Sequence, residues 1–336
     1  MRRPGSLAAY TAAHFSVDLC CAWSMLRAGA ATGQTLIILV FYHRLAFGLQ
    51  AFFGMFLDRK PGMYQNAAIL GCFMTAAGVI LTNVSAPGAV AFCGLGNALF
   101  HVGGGVEALR RQPGMGRSGV FVSAGAVGLA IGILWGNGGT VGAPLPLGVL
   151  LIAAGGVMLS GKPDGEDAPR KKPGPETVAP WVTAALCSVS IAIRSYVGFA
   201  APMPWKSGTV LVLSAACCAA LGKALGGVLA DKFGPVRVGV FSLLLSAPLL
   251  AFGGGSAVWG LLGLVLFNMT MAVTLCLTAD RMPGQEGAVF GLTTLALLAG
   301  YFLRMGLGDV PGWGIGLLIL ISAVCLWRAE PGRWRS

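Results

Sequence analysis

The stretch Gly226 to Arg237, GGVLADKFGPVR, places a short charged turn around Asp231 between two long apolar runs. A related stretch, Gly54 to Gly62, reads GMFLDRKPG and lies 173 residues earlier, measured from Asp58 to Asp231. That separation is about half of the 336-residue chain. Both copies end an apolar run of membrane length. A repeat of this period indicates two homologous helical bundles in tandem.

The composition excludes a soluble globular domain. The chain is 56% hydrophobic and 10% charged with a mean hydropathy of +0.78, whereas ordinary domains carry about 25% charged residues. A net charge of +11 would suit nucleic acid only if the bases formed a patch on a folded surface. Here they lie between apolar runs. We therefore expect an integral membrane protein in a lipid bilayer that binds no nucleic acid.

Cysteine usage argues against a disulfide framework. All nine cysteines fall inside apolar runs and none forms a C-x-x-C pair. Small apolar packing residues are the better interpretation than a structural zinc site. The sequence predicts no cofactor.

Twelve apolar runs have about the length that a bilayer core requires. The longest polar interruption, KPDGEDAPRKKPGPE at 162–176, separates the sixth run from the seventh. We predict an all-α integral membrane protein with twelve transmembrane helices in two six-helix bundles. The predicted divisions are an N-terminal bundle at 1–160, a cytoplasmic linker at 161–178 and a C-terminal bundle at 179–336.

The distribution of basic residues predicts the orientation. Seventeen of the 23 lysines and arginines lie at the ends of the runs that face the linker side. By the positive-inside rule the linker and both termini are cytoplasmic, in a multi-pass protein of the bacterial inner membrane. The first run contains His14 and Asp18, which indicates a membrane helix and not a cleaved signal peptide.

Glycines recur at four-residue steps in two runs. Gly128, Gly132 and Gly136 lie in the fifth run, and Gly222 and Gly226 lie in the eighth. Such faces let helix backbones approach closely. Tight packing is one interpretation, and a sliding contact between these two runs across the halves is the other.

Four basic residues lie inside the runs, where an ionisable group costs from about 2.5 kcal/mol upward. Arg304 and Lys223 are near enough to a helix end to extend toward the membrane surface. Arg44 and Arg194 lie deeper, one in each half, and are expected to face a central cavity. A guanidinium binds a carboxylate, phosphate or phosphonate through two parallel hydrogen bonds, so such a cavity favours an anion.

Acidic residues at membrane depth are fewer. Asp18 is the one carboxylate near the middle of a run, and Glu107 ends the fourth. His14 lies four residues before Asp18, so both share one helical face. An imidazole beside a carboxylate can exchange a proton near neutral pH, which predicts proton coupling by His14, Asp18 and Glu107. An ion pair between Asp18 and Arg44 is a compatible alternative.

The three histidines all lie in the first half. A metal site of His14, Asp18 and His101, with Cys20 or Cys21, is conceivable because these are transition-metal ligands. The spacing does not establish one, and a nearby Arg44 would repel a cation. The sequence therefore predicts no bound metal.

The G-x-L-A-D-K-x-G-x-x-R pattern from Gly227 to Arg237 resembles a loop of major facilitator superfamily transporters. In that family the loop follows the second helix and recurs after the eighth. The resemblance implies alternating access, with these turns closing the cytoplasmic side. The residues it assigns to this conformational latch are Gly54, Asp58, Arg59, Gly227, Asp231, Lys232 and Arg237.

Further residues resemble the fosmidomycin-resistance branch of the superfamily, over about residues 10 to 305. Its fourth helix matches Gly94, Gly96, Phe100 and His101, and its first helix matches His14 and Asp18. Other matching segments are Arg194-Ser195-Tyr196 and Met282-Pro283-Gly284 through Gly291.

These observations predict a secondary active transporter, not an enzyme, that moves a small organic anion with protons and acts as a monomer. Proton-driven efflux of drugs is one alternative, and a metal-ion transporter using the intramembrane His and Asp residues is another. No nucleophile and base with the spacing of a hydrolase motif is present. The predicted substrate-binding residues are Arg44, Arg194, Tyr196, His101 and Asn97.

Overall fold

The computed structural model describes residues 5–110, 114–161 and 178–330, and those ranges contain helices and no strand. The second and tenth spans are each divided at one residue, Leu49 and Met269, both of which keep right-handed helical angles. Fourteen α-helices thus form twelve spans, which confirms the predicted fold class. The helices are α1 (Gly5–Thr32), α2 (Thr35–Gly48), α3 (Gln50–Asp58), α4 (Tyr64–Leu81), α5 (Ala86–Arg110), α6 (Gly116–Gly138), α7 (Pro144–Leu159), α8 (Pro180–Ala200), α9 (Gly208–Phe233), α10 (Pro235–Ala251), α11 (Ala257–Asn268), α12 (Thr270–Arg281), α13 (Glu286–Leu307) and α14 (Gly312–Ala329).

The helices have the length and hydropathy of membrane spans. Nine spans in the described ranges can cross a bilayer by these criteria, and α7 and α10 are apolar but shorter. Helix α1 has 28 residues and carries His14 and Asp18, which lower its hydropathy. Large apolar side chains such as Phe52, Ile152 and Val210 are exposed on the outer faces, as lipid contact requires. The protein is a multi-pass membrane protein.

The turn that follows Asp231 is tight. Gly234 alone separates α9 from α10, and its φ of +92° lies in the region that favours glycine. Pro235 then begins α10, where its missing N–H costs no helical hydrogen bond. The chain therefore ends one span and starts the next within three residues.

Packing follows the two predicted halves. Helix α1 packs against α5, α6 and α7, and α4 packs against α5 and α7. In the second group α14 packs against α8 and α10, and α9 packs against α11 and α12. The boundaries of the two bundles stay a prediction, because residues 162–177 of the linker lie outside the described residues.

The glycine stripes pack within each half. A Cβ on Gly128 or Gly132 would overlap carbonyl oxygens of α1, and one on Gly222 or Gly226 would overlap carbonyl oxygens at the α11–α12 segment. The glycines of these stripes therefore pack tightly within their own halves. The two runs themselves, α6 and α9, do meet across the halves, but through other residues, and sliding between them stays a prediction.

Two contacts join the halves at the predicted cytoplasmic end. Helices α6 and α9 meet where Gly119 lies against the backbone of Lys223. Helices α3 and α13 meet where Gly54 lies against Gly287. At both places a Cβ would overlap or press on backbone atoms of the other helix, so the halves are in direct contact there.

Candidate functional site

An acid on α1 lies between two imidazoles, and we call His14, Asp18 and His101 the Asp18 cluster. His14 and Asp18 share one face of α1, with 3.3 Å between His14 Nε2 and Asp18 Oδ2. Helix α5 brings His101, whose Nε2 lies 3.6 Å from Asp18 Oδ1. The Asp18 side chain is 19% exposed and the histidine side chains are 6% and 10% exposed. The predicted pair on α1 is thus joined by a histidine from α5.

The hydrogens of both imidazoles follow from their other contacts. His14 Nδ1 lies 2.7 Å from the carbonyl oxygen of Phe121, and His101 Nδ1 lies 2.9 Å from that of Asn97. A carbonyl oxygen only accepts, so each Nδ1 carries a hydrogen. A neutral ring then presents an Nε2 lone pair to a carboxylate that is also an acceptor. Such an arrangement requires a proton or another cation between them.

Two more residues shape the Asp18 cluster. Asn97 donates through Nδ2 to Asp18 Oδ1 at 3.1 Å. Gly125 on α6 lies against the cluster, and a Cβ there would overlap Asp18 Oδ2 and His14 Nε2. His101 and Asn97, predicted to bind substrate, are therefore partners of Asp18 in this structure. Gly125 was not predicted, because a residue without a side chain carries no chemical signal in the sequence.

Arg194 on α8 is buried beside two hydroxyls. Its Nη1 donates to Thr270 Oγ1 at 3.3 Å and to Thr274 Oγ1 at 3.4 Å, both on α12. Only 7% of the residue is exposed, and no carboxylate of the described residues lies within ion-pair distance of it. A buried guanidinium with only weak hydroxyl contacts can still bind an anion.

Lys223 on α9 lies near both the Asp18 cluster and Arg194. It is half-buried and lies within coulombic range of Asp18 and Arg194, and His101 also feels its charge. Lys223 therefore lies near charged groups of both halves, and its expected extension to the membrane surface stays a prediction. Arg304, by contrast, pairs with the exposed Asp309 just beyond the end of α13, as expected for a residue near a helix end.

Two other predicted substrate residues, Arg44 and Tyr196, contact neither Asp18 nor Arg194 in this structure. Arg44 is exposed on α2, with its guanidinium 5.9 Å from the Phe41 ring centroid and 5.6 Å from that of Phe302. The alternative ion pair between Arg44 and Asp18 is not formed. Tyr196 is two residues from Arg194, so their side chains leave α8 in nearly opposite directions.

The Tyr196 hydroxyl donates to the carbonyl oxygen of Gly308 at 3.0 Å. It is therefore used in holding the loop after α13. Glu107 is buried near the end of α5, about 9 Å along the helix axis from His101. Its predicted part in proton coupling stays a prediction.

The first predicted latch residue, Asp58, joins α3 to the start of α13. Its Oδ1 accepts the N–H of Gly287 at 2.8 Å and its Oδ2 accepts the N–H of Ala288 at 2.7 Å. The carboxylate thus satisfies free N–H groups at a helix N-terminus and is stabilised by the helix dipole. A Cβ on Gly54, one turn earlier, would overlap the carbonyl oxygen of Gly287.

The second latch residue, Asp231, makes the equivalent contact from the second half to the first. Asp231 at the end of α9 accepts the N–H of Met115 at 2.6 Å and of Gly116 at 2.8 Å, at the start of α6. Gly227, one turn earlier, lies against the carbonyl oxygen of Met115. Each half therefore contributes one carboxylate to a helix of the other half.

The basic residues of the two turns do not join these contacts equally. Arg59 and Lys232 are exposed, and the Lys232 ammonium lies over the Phe233 ring. Arg237 is half-buried, and its predicted role stays a prediction. An arginine that was not predicted to act here, Arg110, donates to Glu286 Oε2 through Nε at 3.1 Å and Nη2 at 2.7 Å.

No protein-family model matches the chain. A segment is 39% identical over 106 residues to a Bacillus subtilis (strain 168) protein described as "Uncharacterized MFS-type transporter YfnC". The match covers 30% of this chain and 24% of that relative. Sequence similarity thus extends over about a quarter of the curated relative. The resemblance to the fosmidomycin-resistance branch stays a prediction.

Solved structures match the whole chain. A single-residue variant of the Escherichia coli fucose:proton symporter FucP superimposes with a TM-score of 0.68 at 16% identity, covering 98% of both chains. The human organic anion transporter MFSD10 (TETRAN) superimposes with a TM-score of 0.67 at 14% identity, covering 97% of this chain and 100% of the other. The twelve spans, the charged turns and these superpositions lead to one conclusion: the chain has the fold of the major facilitator transporters.

Proposed function

We propose that the protein is a secondary transporter of the major facilitator superfamily that moves a small organic anion together with protons. The observation that carries this proposal is the buried Arg194 guanidinium, which touches two threonine hydroxyls and no carboxylate of the described residues. An ionised group at this depth is costly unless a partner of opposite charge is present for part of the cycle. The substrate is that partner.

The charges around the site favour an anion. Lys223 adds a second positive charge within coulombic range of Arg194. The carboxylate, phosphate or phosphonate of a substrate would bind between them, with the planar guanidinium donating to two oxygens in parallel. An organic anion transporter and a proton symporter among the superposed structures are consistent with this chemistry.

The Asp18 cluster is the proposed proton site. A proton between an Nε2 atom and the Asp18 carboxylate would remove the conflict between two acceptors. Loss of that proton would leave a carboxylate within coulombic range of Lys223, so protonation of the cluster would change how strongly Lys223 attracts the substrate. This is a direct route from proton binding to anion binding.

Alternating access would use the paired latches. Asp58 and Asp231 hold the predicted cytoplasmic end closed, so this structure is the outward-facing or occluded member of the cycle. The residues proposed to act in the latch remain Gly54, Asp58, Arg59, Gly227, Asp231, Lys232 and Arg237. Opening requires that both carboxylates release the helix N-termini that they cap.

A thermal-stability screen of the detergent-purified protein tests the proposal. A panel of phosphonates, carboxylates, amino acids and lipophilic cations is added, and a ligand at 100 times its Kd should add about 2.7 kcal/mol to the folded state. We expect stabilisation by anions, lost in Arg194→Gln. Arg44→Gln is the matched control, because the Arg44 guanidinium lies near the rings of Phe41 and Phe302 and not beside Thr270 and Thr274.

The result of this screen also distinguishes anion transport from the drug efflux that the sequence left open as an alternative. Stabilisation by lipophilic cations, unchanged in Arg194→Gln, would favour drug efflux and contradict the anion assignment. Stabilising anions then enter a proteoliposome assay with an imposed pH gradient. Asp18→Asn should abolish the response to the gradient, and an unchanged response would refute the proton assignment.

A further inference from the structure

We infer that the Asp18 cluster is a binding site for a divalent transition-metal ion such as Zn²⁺, with His14 Nε2, His101 Nε2 and one Asp18 oxygen as ligands. The three donor atoms lie within 4.8 Å of one another. Two imidazoles and a carboxylate are a donor set that suits zinc and its neighbours.

The distances need little change to hold an ion. Ligands about 2.0 to 2.2 Å from a tetrahedral zinc ion lie roughly 3.3 Å from each other. His14 Nε2 lies 3.3 Å from Asp18 Oδ2, and His101 Nε2 lies 3.6 Å from the other carboxylate oxygen, Oδ1. All three donor atoms lie within 4.8 Å of one another, so adjustment of the side-chain torsion angles would have to draw them together around the ion, with a fourth position for water.

The surroundings also fit a metal site. Metal-binding histidines almost always donate their second ring N–H to a carbonyl or carboxylate, which fixes the tautomer and aims the lone pair. Both histidines of the cluster do so, His14 to Phe121 and His101 to Asn97. Asn97 also donates to Asp18 Oδ1, which orients the carboxylate and leaves Oδ2 for the ion.

Positive charge near the Asp18 cluster opposes the binding of a cation. The residue that supplies this charge differs from the one expected from the sequence. Arg44, which was expected from the sequence to repel a cation, lies over Phe41 and Phe302 instead. Lys223 is within coulombic range of Asp18 and His101. The ion therefore binds against one nearby ammonium group, and removal of that charge should strengthen binding. This expectation is specific to a site beside Lys223.

The test is a titration of the detergent-purified protein, carrying an affinity tag without histidine, with Zn²⁺ by calorimetry and with Co²⁺ by absorption. We expect one bound ion and a visible cobalt spectrum without the near-ultraviolet band of thiolate ligation, which excludes Cys21 and the other cysteines. Asp18→Asn and His101→Gln should each weaken binding by at least tenfold, because even outer-shell partners commonly contribute about 10- to 100-fold.

Two further variants complete the test. His43→Gln removes the remaining histidine, which stacks on Tyr301 outside the cluster, and should leave binding unchanged. Lys223→Gln should tighten it severalfold. Binding that is as strong in Asp18→Asn as in the unsubstituted protein, or a thiolate spectrum, would overturn the metal inference. The proposed anion transport is a separate matter, because it can hold with no metal bound and is tested by Arg194→Gln.

Discussion

Arg110 at the end of α5 and Glu286 at the start of α13 form a salt bridge between the two halves, with two N–H groups on one carboxylate oxygen. The arginine at the corresponding end of the second half, Arg281, pairs with Glu330 in its own half instead. Arg110 Nη2 also lies 3.9 Å from Asp58 Oδ1. The contact between the two halves is therefore reinforced by an ion pair on the α3–α13 side, and the Arg281–Glu330 pair lies within the second half.

This difference predicts unequal effects for two matched substitutions. Glu330→Gln should lower the unfolding free energy by roughly 3 kcal/mol, because it breaks a pair whose side chains are 2% and 4% exposed. Glu286→Gln should cost much less, because Arg110 keeps Asp58 nearby, and should instead favour the open state. Thermal unfolding in detergent checks this, and equal melting temperatures for the two variants would contradict it.

Loss of a latch carboxylate should loosen one helix start selectively. In Asp58→Asn the N–H groups of Gly287 and Ala288 lose their charged acceptor, and each such bond contributes about 1.5 to 3 kcal/mol. Hydrogen–deuterium exchange at these two amides should accelerate by about tenfold or more. Asp309→Asn, at the opposite end of α13, is the control. Comparable protection in Asp58→Asn and the control would argue against the latch.

Gly125 and Gly128 should respond differently to alanine. The atoms nearest to the added Cβ of Gly125→Ala are at the ends of the Asp18 and His14 side chains, so we expect loss of proton-driven transport with nearly normal stability. In Gly128→Ala it meets a backbone oxygen of α1, which cannot move without shifting the helix, so stability should fall. Gly155→Ala faces open space and serves as the control. A stable, fully coupled Gly125→Ala protein would contradict this account.

A larger residue at a latch glycine should prevent closure. Gly54→Ala places a methyl group into Gly287, and Gly227→Ala places one into the Met115 carbonyl. Both contacts exist only while the halves meet, so the variants should fold but populate the state in which the halves separate at this end. Faster exchange of the Gly287 and Gly116 amides is the expected readout. Native protection at these amides would show that the methyl is accommodated.

Asp58 and Asp231 could be singled out from the sequence, whereas the groups that their carboxylates bind could not. A charged turn repeated after 173 residues identifies Asp58 and Asp231, because little else in an apolar chain has that period. What each carboxylate binds is a pair of backbone N–H groups, which carry no side-chain signature. The salt bridge of Arg110 with Glu286 was missed for a related reason, since it depends on which helices meet.

The depth of a charged residue in the membrane was easier to predict than the surroundings that its side chain faces. The positions of Arg44 and Lys223 along their spans suggested a cavity for the first and the surface for the second. In the structure Arg44 is exposed beside Phe41 and Phe302, and Lys223 is half-buried within coulombic range of Asp18 and Arg194. A transmembrane helix is apolar on its lipid face and on its packed face, so hydrophobic periodicity does not distinguish them. Only the packing of α2 against α13, and of α9 against α6, decides where these side chains lie.

The duplicated caps have a quantitative consequence. Asp58 and Asp231 act on the same rigid-body equilibrium from separate places, so their free energies add and their effects on the ratio of sealed to unsealed molecules multiply. Together the two carboxylates raise the ratio of sealed to unsealed molecules by some factor. If they contribute equally, a protein that has lost one of them keeps the square root of that factor. Its inward leak should therefore stay small until the second carboxylate is also removed, and the leak of the double variant should far exceed the sum of the two single leaks.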